Sequence, residues 1–357
     1  MNTAERPHLP GRLGDPEMQL KDDPRADPRM LAAMAPFAID VMPPPTPITA
    51  DWSEAAIHEH MTATEDGFGQ VFSAFFTELP ELDVERRTEV IPGVDGNDIT
   101  LFIHRPAGDH DPMPGIVHTH GGGMVIGAAA DPNYVRWRDE LAVTGLVVVG
   151  VEFRNGSGKL GNHPFPAGLN DCATAVAWTD EHRGDLGITK IVVSGESGGG
   201  NLALATALKA KREGRLGQID GVYAQCPYIS NAYESGDPDL PSLVENDGYF
   251  LSSNMMGPLA RIYDPGGEHA TDPLAWPYHA AVEELSGLPP HTISVNELDP
   301  LRDEGLAYFR KLLAAGVPTM GRTVNGTCHA GDVLFRKYMP EVFAASVADV
   351  RSFAYSL

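Results

Sequence analysis

Residues 191–201, IVVSGESGGGN, decide the fold of this chain. Ile191-Val192-Val193 sits in ITKIVVSGE (188–196), a short run dense in β-branched residues that reads as a buried strand. The strand runs into Gly195-Glu196-Ser197-Gly198-Gly199, a G-x-S-x-G, and a helical stretch follows from Gly200 to Glu213, closed by Gly214. A strand that turns at once into a helix forces the residue at the turn into strained backbone angles. Flanking glycines are needed because no Cβ fits between strand and helix. The turn exposes the hydroxyl of Ser197 and aims a helix N-terminus at it. Ser197 is therefore the candidate nucleophile; the bland alternative is a glycine-rich turn that only packs strand on helix.

The same alternation continues on both sides. RRTEVIPG and DITLFIHRPA read as an antiparallel pair around VDGND. PGIVHTH (114–120), LVVVGVEF (146–153), GVYAQCPYI (221–229) and HTISVNELD (291–299) read as further strands, with PTMGRTV later in the chain. Helices are expected at Pro166–Arg183, Asp303–Ala315 and Pro340–Ser356. Strands alternating with helices imply an α/β protein with a mainly parallel, doubly wound sheet. Upstream, residues 1–28 are rich in proline, glycine and charge and read as an arm or flexible end. Helices are expected at Met30–Ile39 and Asp51–Thr77, separated by the proline-rich joint PPPTP (43–47), with Asp51 as N-cap and Glu54 three residues on. Residues 230–275, crowded with Pro, Gly, Asn and Asp, are too long for a normal connection and read as an insertion.

In open α/β sheets, ligands bind beyond the carboxyl ends of the strands. His120-Gly121-Gly122-Gly123 follows the strand Pro114–Thr119 there. Acyl transfer develops charge on a carbonyl oxygen, and glycines let backbone N–H groups approach it unobstructed. Gly122 and Gly123, with Gly198 after the serine, are the candidate donors of such an oxyanion hole; His120 and Gly121 shape the loop. Serine needs a base, and the base an orienting carboxylate. Among His269, His279, His291 and His329, only His329, in GTCHAGD, follows a strand in a loop over the right end of the sheet. His291 opens a strand at the wrong end; His269 and His279 lie in or beside the insertion and are expected to be solvated. For the acid, NELDPLRDEG offers Glu297, Asp299 and Asp303. Asp299 is first after the strand, while Asp303 is expected to cap the next helix.

HGGG, GESGGGN, HPFP (163–166), DPLRDEG (299–305) and the later histidine resemble the hormone-sensitive-lipase-like carboxylesterases (bacterial family IV), closest to the brefeldin A esterase branch. The resemblance covers about Val84 to the C-terminus. It implies an α/β-hydrolase fold with a mostly helical cap: residues 1–83 as arm and cap helices, 84–229 and 276–357 as core, and 230–275 as cap insertion. It also implies a serine carboxylesterase acting on short- to medium-chain esters, with Ser197, His329 and Asp299 as triad and no cofactor. A homodimer is compatible with it. Phe250, Met255 and Met256 are candidates for the pocket or for core packing. The chain departs from the pattern at FRNGSGKLGN (153–162), at Met124 after HGGG, and at Ala330-Gly331-Asp332 after the base, all near the expected pocket.

Other chemistries fit less well. GSGKLG (156–161) matches G-x-G-x-x-G, but NHPFP follows, so no helix end is available for a pyrophosphate. His118 and His120 share a strand face but have no third ligand nearby in sequence, so no metal site is expected. Cys328, beside His329, reads as a buried packing residue. With 49 acidic against 26 basic side chains the formal charge is -23, which repels nucleic acid. No apolar run is long enough to enter a bilayer as a spanning helix, and no secretion signal is visible, so the cytoplasm is the expected compartment. Cys172, Cys226 and Cys328 form no C-x-x-C pair. An amidase or deacetylase with the same triad, and a non-catalytic ligand binder on the same fold, are the rival readings.

Overall fold

The computed structural model describes residues 9–49 and 52–357. Its eight strands are β1 (Val84–Pro92), β2 (Asp98–Pro106), β3 (Met113–Thr119), β4 (Val147–Glu152), β5 (Ile188–Glu196), β6 (Gly221–Gln225), β7 (His291–Asn296) and β8 (Thr319–Val324). They form one sheet in the order β1-β2-β4-β3-β5-β6-β7-β8. β1 and β2 pair antiparallel, β2 pairs antiparallel with β4, and every pairing from β4 to β8 is parallel. β3, β6 and β7 are buried throughout, because both faces of the sheet are covered. β1, at one edge, carries exposed Glu85, Arg86 and Arg87, charges that discourage pairing with another chain.

Alternate residues of one strand feed two separate cores. Val117, Val149, Val193 and Val222 point to one face, where they pack with the helices Ala167–Glu181, Gly198–Arg212 and Arg302–Ala314. Ile116, Val148, Val192 and Tyr223 point to the other, against the helices Pro132–Ala142 and Pro340–Tyr355. Each such side chain, fully buried, contributes about 1.5–3 kcal/mol. The Pro132–Ala142 helix is an element that the apolar pattern does not reveal. Its buried face includes Arg138 and Asp139 among Trp137 and Leu141, so charge interrupts the period.

The upstream segment differs from expectation. Residues 9–28 are packed against the body of the protein: Leu20 is fully buried, and the Asp27 N–H donates to the Gly326 carbonyl at 2.9 Å. The Arg25 guanidinium donates to Asp23 and, at 2.5 Å, to Glu245, while the Tyr249 hydroxyl donates to Asp23 at 3.0 Å. Charges that look like a solvated end thus have partners more than 200 residues away. The first of the two expected helices runs over Pro28–Met34, is capped by Asp27 and gives way to a 3-10 turn, Ala35–Phe37, where Pro36 interrupts the ladder. The second, Glu54–Phe75, starts from Ser53, whose hydroxyl accepts the Ala56 N–H at 3.2 Å; the expected cap, Asp51, lies outside the described residues. Within 230–275 the chain forms two helices, Ser242–Glu245 and Ser253–Tyr263. Phe68 and Phe72 meet Phe250 with ring centroids 6.4 Å apart, so the Glu54–Phe75 helix packs on this stretch.

His291 opens β7 at the end of the sheet remote from Ser197. It is buried, with Nδ1 2.7 Å from the Pro289 carbonyl and Nε2 without a partner among the described residues. Burial pulls its pKa down to about 4, against 6.5 for an ordinary imidazole. The folded protein therefore keeps His291 neutral, an advantage fully present above pH 6.5 and lost as the pH falls toward 4, where only the unfolded chain gains the proton. Urea midpoints measured from pH 7 to pH 4 are expected to fall more steeply for the native chain than for His291→Gln, with a differential of up to about 3 kcal/mol.

Candidate active site

Ser197 links β5 to the Gly198–Arg212 helix with φ 57° and ψ −121°, outside the regions that L-residues favour. Hydrogen bonds pin it on both sides. Its N–H donates to the Gln225 carbonyl at 2.9 Å, and its carbonyl accepts the Asn201 N–H at 3.0 Å and the Tyr228 N–H at 3.1 Å. The glycine requirement is steric. A Cβ on Gly199 would lie 1.9 Å from the Thr119 carbonyl oxygen of β3, so only glycine lets the helix start this close to the sheet.

His329 and Asp299 reach the same end of the sheet from the loops after β8 and β7. His329 Nδ1 lies 2.8 Å from Asp299 Oδ2; the other carboxylate oxygen accepts the Leu301 N–H at 2.9 Å, and Asp299 is fully buried. Asn296, at the end of β7, holds the histidine loop. Its Oδ1 accepts the Ala330 N–H at 3.2 Å, and its Nδ2 donates to Thr327 Oγ1 at 2.7 Å and to Asp332 Oδ1 at 2.9 Å. Asp332, within the unusual Ala330-Gly331-Asp332, is thus a brace for that loop, and sequence reasoning missed it and Asn296. Of the rejected acids, Glu297 accepts the Gly326 N–H. Asp303 sits inside the first turn of its helix, paired with Arg302 and accepting the Ser242 N–H at 2.7 Å, so it is not the cap that was expected. His269 has a partly exposed side chain, but His279 is half-buried with Nε2 2.9 Å from the Ser230 carbonyl, against the expectation of a solvated ring.

The HGGG loop lies against the serine turn. Gly122 and Gly123 have φ of 104° and 63°, and a Cβ on Gly198 would sit 2.8 Å from Gly123 N and 2.6 Å from Met124 N. The N–H groups of Gly122, Gly123 and Gly198 donate to no protein acceptor among the described residues. The loop is held from behind. Glu196 Oε1 accepts the Gly121 N–H at 2.9 Å, and Oε2 lies 3.0 Å from His118 Nε2. Burial would raise the Glu196 carboxyl, but His118 and the Gly121 N–H outweigh it and hold it below its ordinary value. The His120 ring stacks on Phe153 at 4.1 Å with Nδ1 2.7 Å from the Gly121 carbonyl, and burial pulls its pKa down to about 4, so the ring is neutral. Behind it, Glu152 accepts the Ala129 N–H at 2.6 Å and is pushed up to about 7 by burial, and buried Arg138 donates to the Ala129 carbonyl at 2.7 Å.

His118 and His120 therefore serve the loop and have separate partners. Cys226 Sγ lies within 4.8 Å of ligand atoms of Asp299 and His329, the one such metal-capable set among the described residues. Burial pushes its thiol well up, so at neutral pH it is a protonated, poor ligand. Cys328 is buried with its thiol likewise pushed up. GSGKLG opens no helix: the next begins at Ala167, and the Lys159 N–H donates to Glu65.

Ser197, His329 and Gly121–Gly123 line one cavity of about 130 Å³. Its other walls are mostly apolar and include Phe68, Phe72, Leu259 and the three anticipated residues Phe250, Met255 and Met256. Such a wall suits an uncharged ligand with a few polar groups at its centre.

A family profile described as alpha/beta hydrolase fold matches residues 116–332. The structure of brefeldin A esterase, a bacterial homologue of human hormone-sensitive lipase, superposes with a TM-score of 0.93 at 50% sequence identity, covering 97% of this chain and 98% of that one. The carboxylesterase NlhH of Mycobacterium tuberculosis is 34% identical over 246 residues, 67% of this chain and 72% of its own. An arylesterase of Saccharolobus solfataricus is 34% identical over 221 residues, 60% of this chain and 67% of its own.

The Glu196 contacts can be tested by themselves. Glu196→Ala strands His118 and the Gly121 N–H in the interior and is expected to lower unfolding free energy by about 3–5 kcal/mol in urea titrations. Glu196→Gln keeps an acceptor for Gly121 and is expected to cost clearly less.

Proposed function

The chain belongs to the α/β-hydrolase fold family, among the hormone-sensitive-lipase-like carboxylesterases, and from that membership we propose that it hydrolyses short- to medium-chain carboxylic esters through an acyl-serine intermediate. It is a carboxylic ester hydrolase, as its named relatives are. One observation carries the finer reading: a serine on a strained strand-to-helix turn shares its cavity with a histidine already hydrogen-bonded to a buried carboxylate.

In this reading Ser197 Oγ attacks the ester carbonyl carbon while His329 Nε2 takes its proton. Asp299 keeps the Nδ1 proton on the far side of the ring and stabilises the imidazolium that forms. The carbonyl oxygen becomes an oxyanion facing the N–H groups of Gly122, Gly123 and Gly198, each worth about 3–4 kcal/mol of barrier. Collapse expels the alcohol, which takes the proton from His329. Water, activated by the same histidine, then releases the acid and restores Ser197. Neither step calls for a cofactor.

The same reading assigns residues 1–83 and 230–275 to a cap over the strand ends and 84–229 with 276–357 to the core. Support comes from the cavity wall, to which Phe68 and Phe72 contribute from one segment and Phe250 and Met256 from the other. No helix among the described residues is long and apolar enough to cross a membrane. Buried, unpaired Cys172, Cys226 and Cys328 are compatible with a reducing cytoplasm.

A panel of p-nitrophenyl acyl esters tests the mechanism. Ser197→Ala is expected to abolish turnover and to lose the covalent mass increment that a fluorophosphonate adds to the native chain; undiminished turnover would overturn it. Gly198→Ala pushes a methyl between the two donor strands of backbone and is expected to lower kcat by about 10²–10³-fold with the fold intact by circular dichroism.

A further inference from the structure

The Glu54–Phe75 helix presents two faces to two cavities. Glu65, Phe68, Gly69 and Phe72, at the i, i+3, i+4, i+7 spacing, line the cavity that holds Ser197. Asp66, Gln70 and Ser73, on the adjoining stripe, line an outer cleft of about 570 Å³ with Thr77 just beyond the helix and Lys159. Glu65, Gly69 and Asp131 line both. The inner cavity is the more enclosed of the two, and the outer cleft opens to solvent, so the part of an ester beyond its reacting centre has room to extend there.

Gly69 stands at that junction without a backbone reason to be glycine. It lies inside a regular helix, its φ is not left-handed, and a Cβ built on it would meet no heavy atom within 4 Å. Glycine in a helix interior costs about 1 kcal/mol against alanine. A side chain at this position would enter open space, and Gly69 is in the wall of both cavities. Glu65 accepts the Lys159 N–H at 2.8 Å and Asp131 accepts the Ala128 N–H at 3.0 Å, which fixes two carboxylates in the wall that the two cavities share. A negatively charged tail is disfavoured there.

We propose that Gly69 keeps a passage from the catalytic cavity to the outer cleft, and that the cleft is a second substrate subsite for esters with an extended, non-anionic tail. The proposal rests on the esterase reading and names the substrate class for it. Gly67, two positions away, has the same helical cost but is exposed and lines neither cavity, which makes it the control.

The experiment is kcat/KM for p-nitrophenyl octanoate and p-nitrophenyl acetate in the native chain, Gly69→Leu and Gly67→Leu. The octanoate-to-acetate ratio is expected to fall on the order of tenfold in Gly69→Leu. In Gly67→Leu it is expected to stay within about twofold of the native ratio. Should Gly69→Leu not fold, Gly69→Ala and Gly67→Ala replace the pair: both are expected to raise the melting temperature, and only Gly69→Ala to lower the ratio. A ratio unchanged at position 69, or lowered equally at position 67, overturns the passage and leaves the esterase reading standing. A native chain that hydrolyses neither ester overturns both.

Discussion

Everything at the functional end of the sheet depends on how closely the Gly198–Arg212 helix starts against β3. With the Gly199 Cα pressed onto the Thr119 carbonyl, the chain can pass from β5 into that helix only through one residue with positive φ, and that residue is Ser197. A strained residue of this kind costs about 1–3 kcal/mol and persists only where its surroundings hold it. Here three backbone hydrogen bonds, to Gln225, Asn201 and Tyr228, do so. The same close approach brings Gly198 against Gly123, so the geometry that turns the chain at the serine also sets the glycine loop beside it.

Behind this turn the interior is unusually polar. Glu196, His118, His120, Glu152 and Arg138 are buried or nearly so, and each is bound to the HGGG loop, to the segment after it, or to another member of the set. Buried charge is weak as a source of stability, since desolvation offsets most of the attraction. Its effect is to hold the loop in one conformation, with the N–H groups of Gly122 and Gly123 unspent in the wall of the cavity. His329 is treated alike: Asp299 fixes its ring, and Asn296 and Asp332 fix its loop. Apolar walls contributed by residues far apart in the chain then surround a polar centre.

Several features escaped local reading for identifiable reasons. The Pro132–Ala142 helix is concealed because Arg138 and Asp139 lie on its buried face, where Arg138 meets His104 and Asp139 meets both His104 and Arg86. Residues 9–28 look like a solvated arm because Asp23 and Arg25 are charged; their partners Glu245 and Tyr249 come from the other segment beside the Ser197 cavity. Asp303 reads as a helix cap in the sequence, yet it lies inside the first turn and serves Ser242 across a tertiary contact. In each case a polar side chain takes a long-range partner, and no spacing rule announces which.

The sequence by itself determined the alternation of strands and helices, the serine turn and the glycine loop, and it nominated Asp299 and His329, which the fold brings within 2.8 Å of each other. These are local matters: β-branched runs, glycines where no Cβ fits, and side chains at strand ends in an open parallel sheet. Tertiary structure alone decided what stands behind and in front of that centre. Glu196 and Glu152 became supports of the loop, Asn296 and Asp332 became braces for the histidine, and Gly69 came to lie where two cavities meet. Such roles depend on which distant segments pack together, because the hydrogen bonds and the empty volume that define them exist only once the chain has closed on itself.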